Sequence, residues 1–555
     1  MFDDAKYKEN FEHFDYVNPD AEKGGTIRIG VEGSFNNLNP HTLKGITPIW
    51  LETTGATLMA KSQDELLSQY CLIAESVEIP EDHSYIIYHI NPQAKWEDGT
   101  PITVENIIFS LETLKQKGNP IEKMQYQDIK AAEKISELTV KFTFENSNNR
   151  ELLLVPGIMP IISESYYNEH EFGQTTLSPP PSSGPYKIGR IIPGKLIEYK
   201  RNPDYWSKDL PVNKGRHNFD RVIFEYFMND ITAIEAFKAQ EYDLRLEHVA
   251  KNWFTAYNNI KNVAKVNIKN KIPAGMQAYV FNTRKAKFAD YRVRKALNYL
   301  FDFDWINEHM FFGMYKRGYS YFANTEYAAQ GMPQNEELEI LKKYQQQLPE
   351  ELYSQEWKPV KIQNLRENLS YAKQLLEEAG WHIKEGNLVN AAGEQMTIEF
   401  LSKYPAFERV GNAFAQNLER LGIKVTIRTL GSAEYSKRIN DFDFDIIPSL
   451  FRPSPVPGSE QIAFWHSSAA NIKGSNNIAG VANPIIDNIL ELLTAAQDKK
   501  SVIAAAHALD RVLLWSYYVI PQWYQEGFNV AYWDKFGRPE KTPDYDLGLD
   551  TWWIN

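Results

Sequence analysis

The sequence predicts an α/β protein of more than one domain, and three observations carry that expectation. Its 555 residues equal the mass of three to four domains at about 150 residues each. From residue 369 to 449, helical and extended patterns alternate in a βαβαβ succession, which implies a mostly parallel sheet with helices on its faces. Pro179-Pro180-Pro181-Ser182-Ser183-Gly184-Pro185 breaks any helix or strand and marks a boundary.

The elements follow in order. Thr26 to Val31 alternate apolar and polar, as a half-buried strand does, and the turn-rich stretch 33–40 leaves its carboxyl end. A hairpin is expected with strands at 72–79 and 84–90. A tight turn follows over Trp96-Glu97-Asp98-Gly99-Thr100-Pro101. Thr103 can then cap a helix whose apolar positions are Val104, Ile107, Ile108, Leu111 and Leu114, and a strand at 138–144 closes the block. Beyond the proline run come strands 186–192 and 196–199, strand 222–227, a helix through Ala233, Ala236 and Phe237, and a short strand at 242–245 feeding a loop with Asn252 and Trp253. A buried strand at 276–282 precedes one long helix at 291–311. The Glu/Gln/Lys-rich piece 332–359 reads as exposed. Helix 369–379, strand 397–401, helix 407–421, strand 424–429, helix 432–439 and strand 444–449 make up the alternating run. Helices at 485–495 and 502–515 precede an aromatic tail. In open α/β sheets the ligand crevice lies outside the strands' carboxyl ends.

Composition excludes several functions. Sixty Lys+Arg against 72 Asp+Glu give a net charge of −12, unlike a nucleic-acid binder, which needs a basic patch to displace counterions. With 43% hydrophobic and 24% charged residues the chain is neither disordered nor fibrous, and no run of about 18 apolar residues could span a membrane. A single cysteine, Cys71, forbids an internal disulfide and any multi-cysteine metal site. Gly189 to Lys195 has the spacing of a phosphate loop but is followed by Leu196 and not by the magnesium-binding hydroxyl, so it reads as a hairpin turn. The histidines, including His83 and His89, show no H-E-x-x-H. Asp441, Asp443 and Asp445 lack the glycine and terminal Glu of a calcium loop. No metal or cofactor is expected.

Several segments together resemble the peptide-type extracellular solute-binding proteins of ABC importers, the dipeptide/oligopeptide-binding family 5, in its YejA-like branch. They are Phe14-Asp15-Tyr16-Val17-Asn18-Pro19 with Lys23-Gly24-Gly25-Thr26-Ile27-Arg28, the stretch Ala94 to Thr103, Ser183-Gly184-Pro185-Tyr186, Asn202-Pro203-Asp204-Tyr205-Trp206, Phe281-Asn282-Thr283 with Asp290 to Leu297, Pro521-Gln522-Trp523-Tyr524, and Asp550-Thr551-Trp552-Trp553. The resemblance spans essentially the whole chain. It implies a two-lobe periplasmic-binding-protein (Venus-flytrap) fold, type II and cluster C-like, with an extra small α+β domain inserted in the first lobe. Lobe I would comprise 1–50, 185–275 and the hinge return 509–555, the small domain 51–184, and lobe II 276–508. Hinges would lie near Pro273 and between Leu509 and Trp523.

The implied function is that of the periplasmic substrate-binding component of an ABC importer. A short peptide or peptide conjugate, murein-derived or microcin C-like, would be held in an interlobe cleft and delivered to inner-membrane permease subunits. The protein would act as a monomer, with no nucleic-acid partner and no membrane span. The opening residues Met1 to Ala5 lack the basic and apolar regions of a signal peptide, and export to the periplasm implies that one was removed. Phe35, Tyr126 and Phe451 are candidate stacking or lid residues. Ser34, Asn282, Ser454 and Asn477 are candidate neutral hydrogen-bond partners, and Arg409, Asn252 and Trp253 candidate rim contacts. Family peptide binders commonly carry an aspartate about three residues after a cleft aromatic, to pair with the ligand's α-amine. Here Phe451 is followed by Arg452-Pro453-Ser454-Pro455, without a carboxylate. Arg452 would instead suit a ligand carboxylate. The alternative is a cleft hydrolase with paired carboxylates acting on glycan or peptide, but no catalytic motif with its required context is present, and the expectation is a protein that binds without catalysis. A third reading is a chaperone or signalling module reusing the clamp.

Overall fold

The computed structural model describes residues 4–145, 152–404, 406–452 and 454–555. The chain divides into two compact units, Met1–Asn270 with Gly527–Asn555, and Lys271–Glu526. The return therefore falls after Glu526 and not at 509. The helix Lys499–Trp515 and the strand Val519–Pro521 belong to the second unit because that strand completes its sheet.

The first unit holds a seven-stranded sheet in the order Val263–Ile268, Phe528–Trp533, Leu244–Leu246, Thr26–Glu32, Arg221–Phe227, Leu196–Arg201, Tyr186–Ile192. Thr26–Glu32 runs parallel to both Arg221–Phe227 and Leu244–Leu246, while the other neighbours are antiparallel. One face buries Ile27, Ile29, Tyr199, Phe224 and Trp552; the other packs Phe237, Tyr242 and Tyr257. Gly30 is required in the central strand, since a Cβ there would lie 2.3 Å from the Tyr242 ring. Within the same unit, Ala74–Glu78, Tyr85–Ile90, Thr139–Phe144 and Ile129–Ser136 form a separate antiparallel sheet. The helix Val104–Lys117 has its predicted Thr103 cap, a capping box completed by Asn106. Ile107, Leu111 and Leu114 from that helix meet Ile86, Tyr88, Val140 and Phe142, and Phe14 and Tyr16 join the same core.

The second unit has a five-stranded sheet, Lys424–Thr429, Thr397–Ser402, Ile446–Phe451, Met276–Phe281, Val519–Pro521. It is mixed. The three strands joined through the helices Ala406–Glu419 and Ser432–Asn440 are parallel, as crossover connections dictate. Met276–Phe281 is antiparallel to both its neighbours.

Four local expectations are corrected. The long helix at 291–311 is two, Tyr291–Asn298 and Phe303–Phe311, because Phe301 turns into the core and Asp302 caps a fresh start by accepting the Trp305 N–H at 3.1 Å. The strand expected at 444–449 begins at Ile446, since the Asn282 amide takes the carbonyls of Phe442 and Phe444 (2.8 and 2.9 Å) into a turn. Residues 250–255 are a helix and not a loop. The piece 332–359 is not uniformly exposed: Leu341 and Leu352 are fully buried, and Glu337 receives the Arg511 guanidinium at 2.6 Å.

Candidate functional site

In the first unit the three parallel strands end together. From their carboxyl ends leave the segment 33–50, the turn into helix Asp230–Lys238 and the turn into helix Ala250–Thr255. Large apolar side chains stand in water along this edge. Met228 is 92% exposed and Ile231 75%, with Val249 and Phe254 also exposed. Apolar groups gathered at a strand edge mark a surface awaiting contact. Beneath them lies a buried ionic network. Arg245 pairs with Asp230 and, at 3.1 Å, with Glu247. Glu247 also accepts the Tyr257 hydroxyl at 2.6 Å and the Val249 N–H at 2.8 Å, and the Asn252 amide donates to Asp230. Burial is the largest single influence and opposes the charge on Arg245, yet Glu247, Tyr242 and Tyr257 together outweigh it and hold the guanidinium above its usual range. Burial, reinforced by Glu247, raises the Tyr257 phenol. These bonds tie the turns after two strands into one ledge. Sequence reasoning singled out Asn252 and missed Arg245, Asp230 and Glu247. The available signal was the alternation Leu244-Arg245-Leu246-Glu247, which puts two charges on one face of a strand otherwise buried.

Ser34 is exposed beside this edge, while Phe35 is buried against Tyr226, ring centroids 5.1 Å apart. Trp253 is half-buried, with the Lys265 ammonium 4.7 Å from its ring centre. Tyr126 lies in the core that the helix Val104–Lys117 shares with the four-stranded antiparallel sheet. Phe35 and Tyr126 are thus interior packing residues, because their rings complete those cores.

In the second unit, Thr397–Ser402, Lys424–Thr429 and Ile446–Phe451 likewise share a carboxyl end. Phe451 is buried in an aromatic nest with Trp465 (4.7 Å between centroids), Tyr321 (5.8 Å) and Phe464 (6.1 Å). Arg452 follows it exposed, and Ser454 is half-buried. Tyr404 is exposed after the Thr397–Ser402 strand, and Arg409 is exposed near the start of the next helix. Phe407 stacks on Trp523 at 6.0 Å. Asn282 and Asn477 are fully buried and spent within the chain. The Asn282 oxygen accepts from Arg284 at 3.1 Å, and Asn477 donates to Val481 O and accepts from Val481 N, each at 2.8 Å. Both act as staples of their turns and offer no spare group.

Among the described residues of this unit, a buried guanidinium lacks a hydrogen-bond partner. Arg317, on the strand pair Lys316–Arg317 and Trp523–Tyr524, sits over the rings of Phe301 (4.8 Å) and Phe303 (5.2 Å). None of its three guanidinium nitrogens has a hydrogen-bond partner among the described residues. Burial pushes its pKa down to about 9, against the weaker pull of Asp304 and Asp302.

Residues 70–472 match the family described as "Bacterial extracellular solute-binding proteins, family 5 Middle". The chain belongs to that family. Along 99% of its length it is 38% identical to a probable peptide-binding protein, YejA, of Agrobacterium fabrum, covering 92% of that protein. It is also 38% identical to the peptidoglycan-binding protein YepA of the same organism, over 98% of this chain and 92% of that one. Among solved structures, the oligopeptide-binding protein AppA of Bacillus subtilis, in complex with a nonapeptide, aligns with a TM-score of 0.70 at 19% identity, over 96% of this chain and 100% of that one. The family 5 solute-binding protein described here therefore has the two-lobe α/β fold of its relatives, with mixed sheets, and falls in the YejA-like branch. Among its described residues no helix is long and apolar enough to cross a membrane.

Proposed function

We propose that this protein is the periplasmic capture component of an ABC importer, a monomer that takes up short peptides or peptide conjugates between its lobes and hands them uncut to a membrane permease. The observation that carries the reading is family membership along the whole chain, with relatives named for peptide and peptidoglycan binding. Each unit adds a strand edge of suitable chemistry. Met228, Ile231 and Val249 offer apolar surface in one, and Tyr404, Arg409 and Arg452 offer a ring and two cations in the other. Extended peptides bind such edges through backbone hydrogen bonds, with pockets for side chains. The stretch after Phe451, where a peptide binder of this family would place an amine-pairing acid, carries Arg452 and no carboxylate, which favours ligands rich in carboxylates, such as murein peptides. A guanidinium can hold a carboxylate bidentately.

Thermal unfolding in the presence of murein tripeptide tests this. Ligand at 100 times Kd adds about 2.7 kcal/mol to stability, so a clear rise in Tm with the ligand recovered intact is expected. Absence of any shift with murein tripeptide and with a pool of short peptides would overturn the proposal. Hydrolysed ligand would replace it with the cleft-hydrolase reading.

A further inference from the structure

Three sequence features that peptide capture leaves unused converge in the small domain: the turn Trp96 to Pro101, the capped start of helix Val104–Lys117, and the proline run at 179–181. With the start of helix Glu164–Glu169 they enclose a pocket of about 420 Å³, within the roughly 300–1,000 Å³ range of small-molecule sites. Its frame is rigid. Asp98 accepts the Thr100 N–H at 2.9 Å and its hydroxyl at 2.6 Å. Glu97 and Ser182 exchange two hydrogen bonds, Glu97 N–H to Ser182 O at 2.8 Å and Ser182 N–H to Glu97 Oε1 at 2.9 Å, which fix the proline run against the turn. The Ser110 hydroxyl, midway along the helix Val104–Lys117, accepts the Ile162 N–H at 2.9 Å and ties that helix to the segment leading into the helix Glu164–Glu169.

The free groups in this frame define a ligand chemistry. The Asn106 oxygen accepts the Thr103 N–H at 3.1 Å, which leaves its NH₂ available. The side chains of Glu164 and Asn168 have no hydrogen-bond partner among the described residues, and Ser165 contributes an exposed hydroxyl that already shares one hydrogen bond with the Ser163 hydroxyl at 2.9 Å. The pocket thus offers amide donors, amide and carboxylate acceptors and a hydroxyl, with apolar surface from Trp96, Pro101 and Pro181. No Lys, Arg or His lines it, and Asp98 and Glu164 repel anions. A neutral, hydroxyl-rich ring meets all these conditions, because its hydroxyls both donate and accept while its C–H faces lie on apolar walls.

We infer that the small domain carries a second ligand site, formed by Trp96, Asn106, Glu164 and Asn168, for a ring of a neutral oligosaccharide.

The test is titration of the full chain with chitotetraose and with maltotetraose, by calorimetry and saturation-transfer NMR. At least one sugar should bind saturably, and the peptide-induced rise in Tm should be unchanged by it. The double variant Glu164→Ala/Asn168→Ala, which alters side chains at the pocket's rim, should weaken the sugar at least tenfold while keeping the parent's Tm. Asn106→Asp keeps the helix cap but removes the NH₂ donor, and it should weaken the sugar too. Three results would overturn the inference: no saturable binding of either sugar, binding undiminished in the double variant, or displacement of the sugar by peptide. Displacement by a simple amine such as ethanolamine would assign the acidic rim to cations instead and would equally overturn it.

Discussion

Two fully buried carboxylates, one in each unit, are neutralised in opposite ways. Glu247 in the first unit faces the Arg245 guanidinium. Asp510 in the second is held by neutral donors alone: the Ser320 hydroxyl at 2.7 Å, the Tyr321 N–H at 2.8 Å and the Ala329 N–H at 3.0 Å. Its neighbour Arg511 is turned toward Glu337. Burial raises the Asp510 pKa to about 7 despite those three donors. Arg317, in the same unit, is the converse case, a buried cation without a carboxylate. The contrast teaches that the strand edge of the first unit is fixed by paired charge, whereas in the second unit, alongside the Arg511–Glu337 pair, Asp510 and Arg317 are buried without an opposite charge, and Asp510 makes that unit's stability depend on pH.

The largest effect is expected at the paired site. Glu247→Ala leaves Arg245 with the partly exposed Asp230 alone and takes the acceptor from the Tyr257 hydroxyl and the Val249 N–H, and breaking a buried pair in this way costs about 3–5 kcal/mol, readable by urea unfolding. A loss below about 1 kcal/mol would show that the ledge is not held by charge. Next comes Asp510. Its folded pKa lies above that of the unfolded chain, so the native state binds the extra proton. The stabilisation is full below pH about 4 and is lost as pH rises through about 7, by roughly 4 kcal/mol in total. Asp510→Asn should flatten that slope in unfolding curves recorded across the range, and a slope that persists would assign it to another group. Arg317→Met replaces an unpaired guanidinium between two phenylalanine rings with an apolar chain. It should be neutral or raise stability by about 1 kcal/mol, and a marked loss would mean that Arg317 has a partner in the folded protein. Smallest for stability is Arg452→Ser, within about 0.5 kcal/mol because the side chain is exposed. The same change should weaken murein tripeptide at least tenfold, and unchanged affinity would separate Arg452 from the ligand.

Much of the fold was legible because strand and helix periods are local. Lys424–Thr429 was bounded correctly from its pattern alone, and Thr103 announced the helix that follows it. Helix Ala250–Thr255 was missed because Val249 precedes it without any side-chain cap, which leaves no polar signal in the sequence. The site was less legible. Asn282 and Asn477 look like free polar residues until their partners, up to 162 positions away, are seen. Asp230 and Arg245 are 15 residues apart and meet only because the strands Arg221–Phe227 and Leu244–Leu246 flank Thr26–Glu32 in one parallel set.

The central claim is capture of a small peptidic ligand without chemistry upon it. Native mass spectrometry of the protein purified from its own host tests this most directly. The account predicts an adduct whose mass is that of an intact short peptide or murein peptide, released on denaturation and exchangeable with added murein tripeptide. A protein that carries no such adduct and takes up none of the added tripeptide would contradict it.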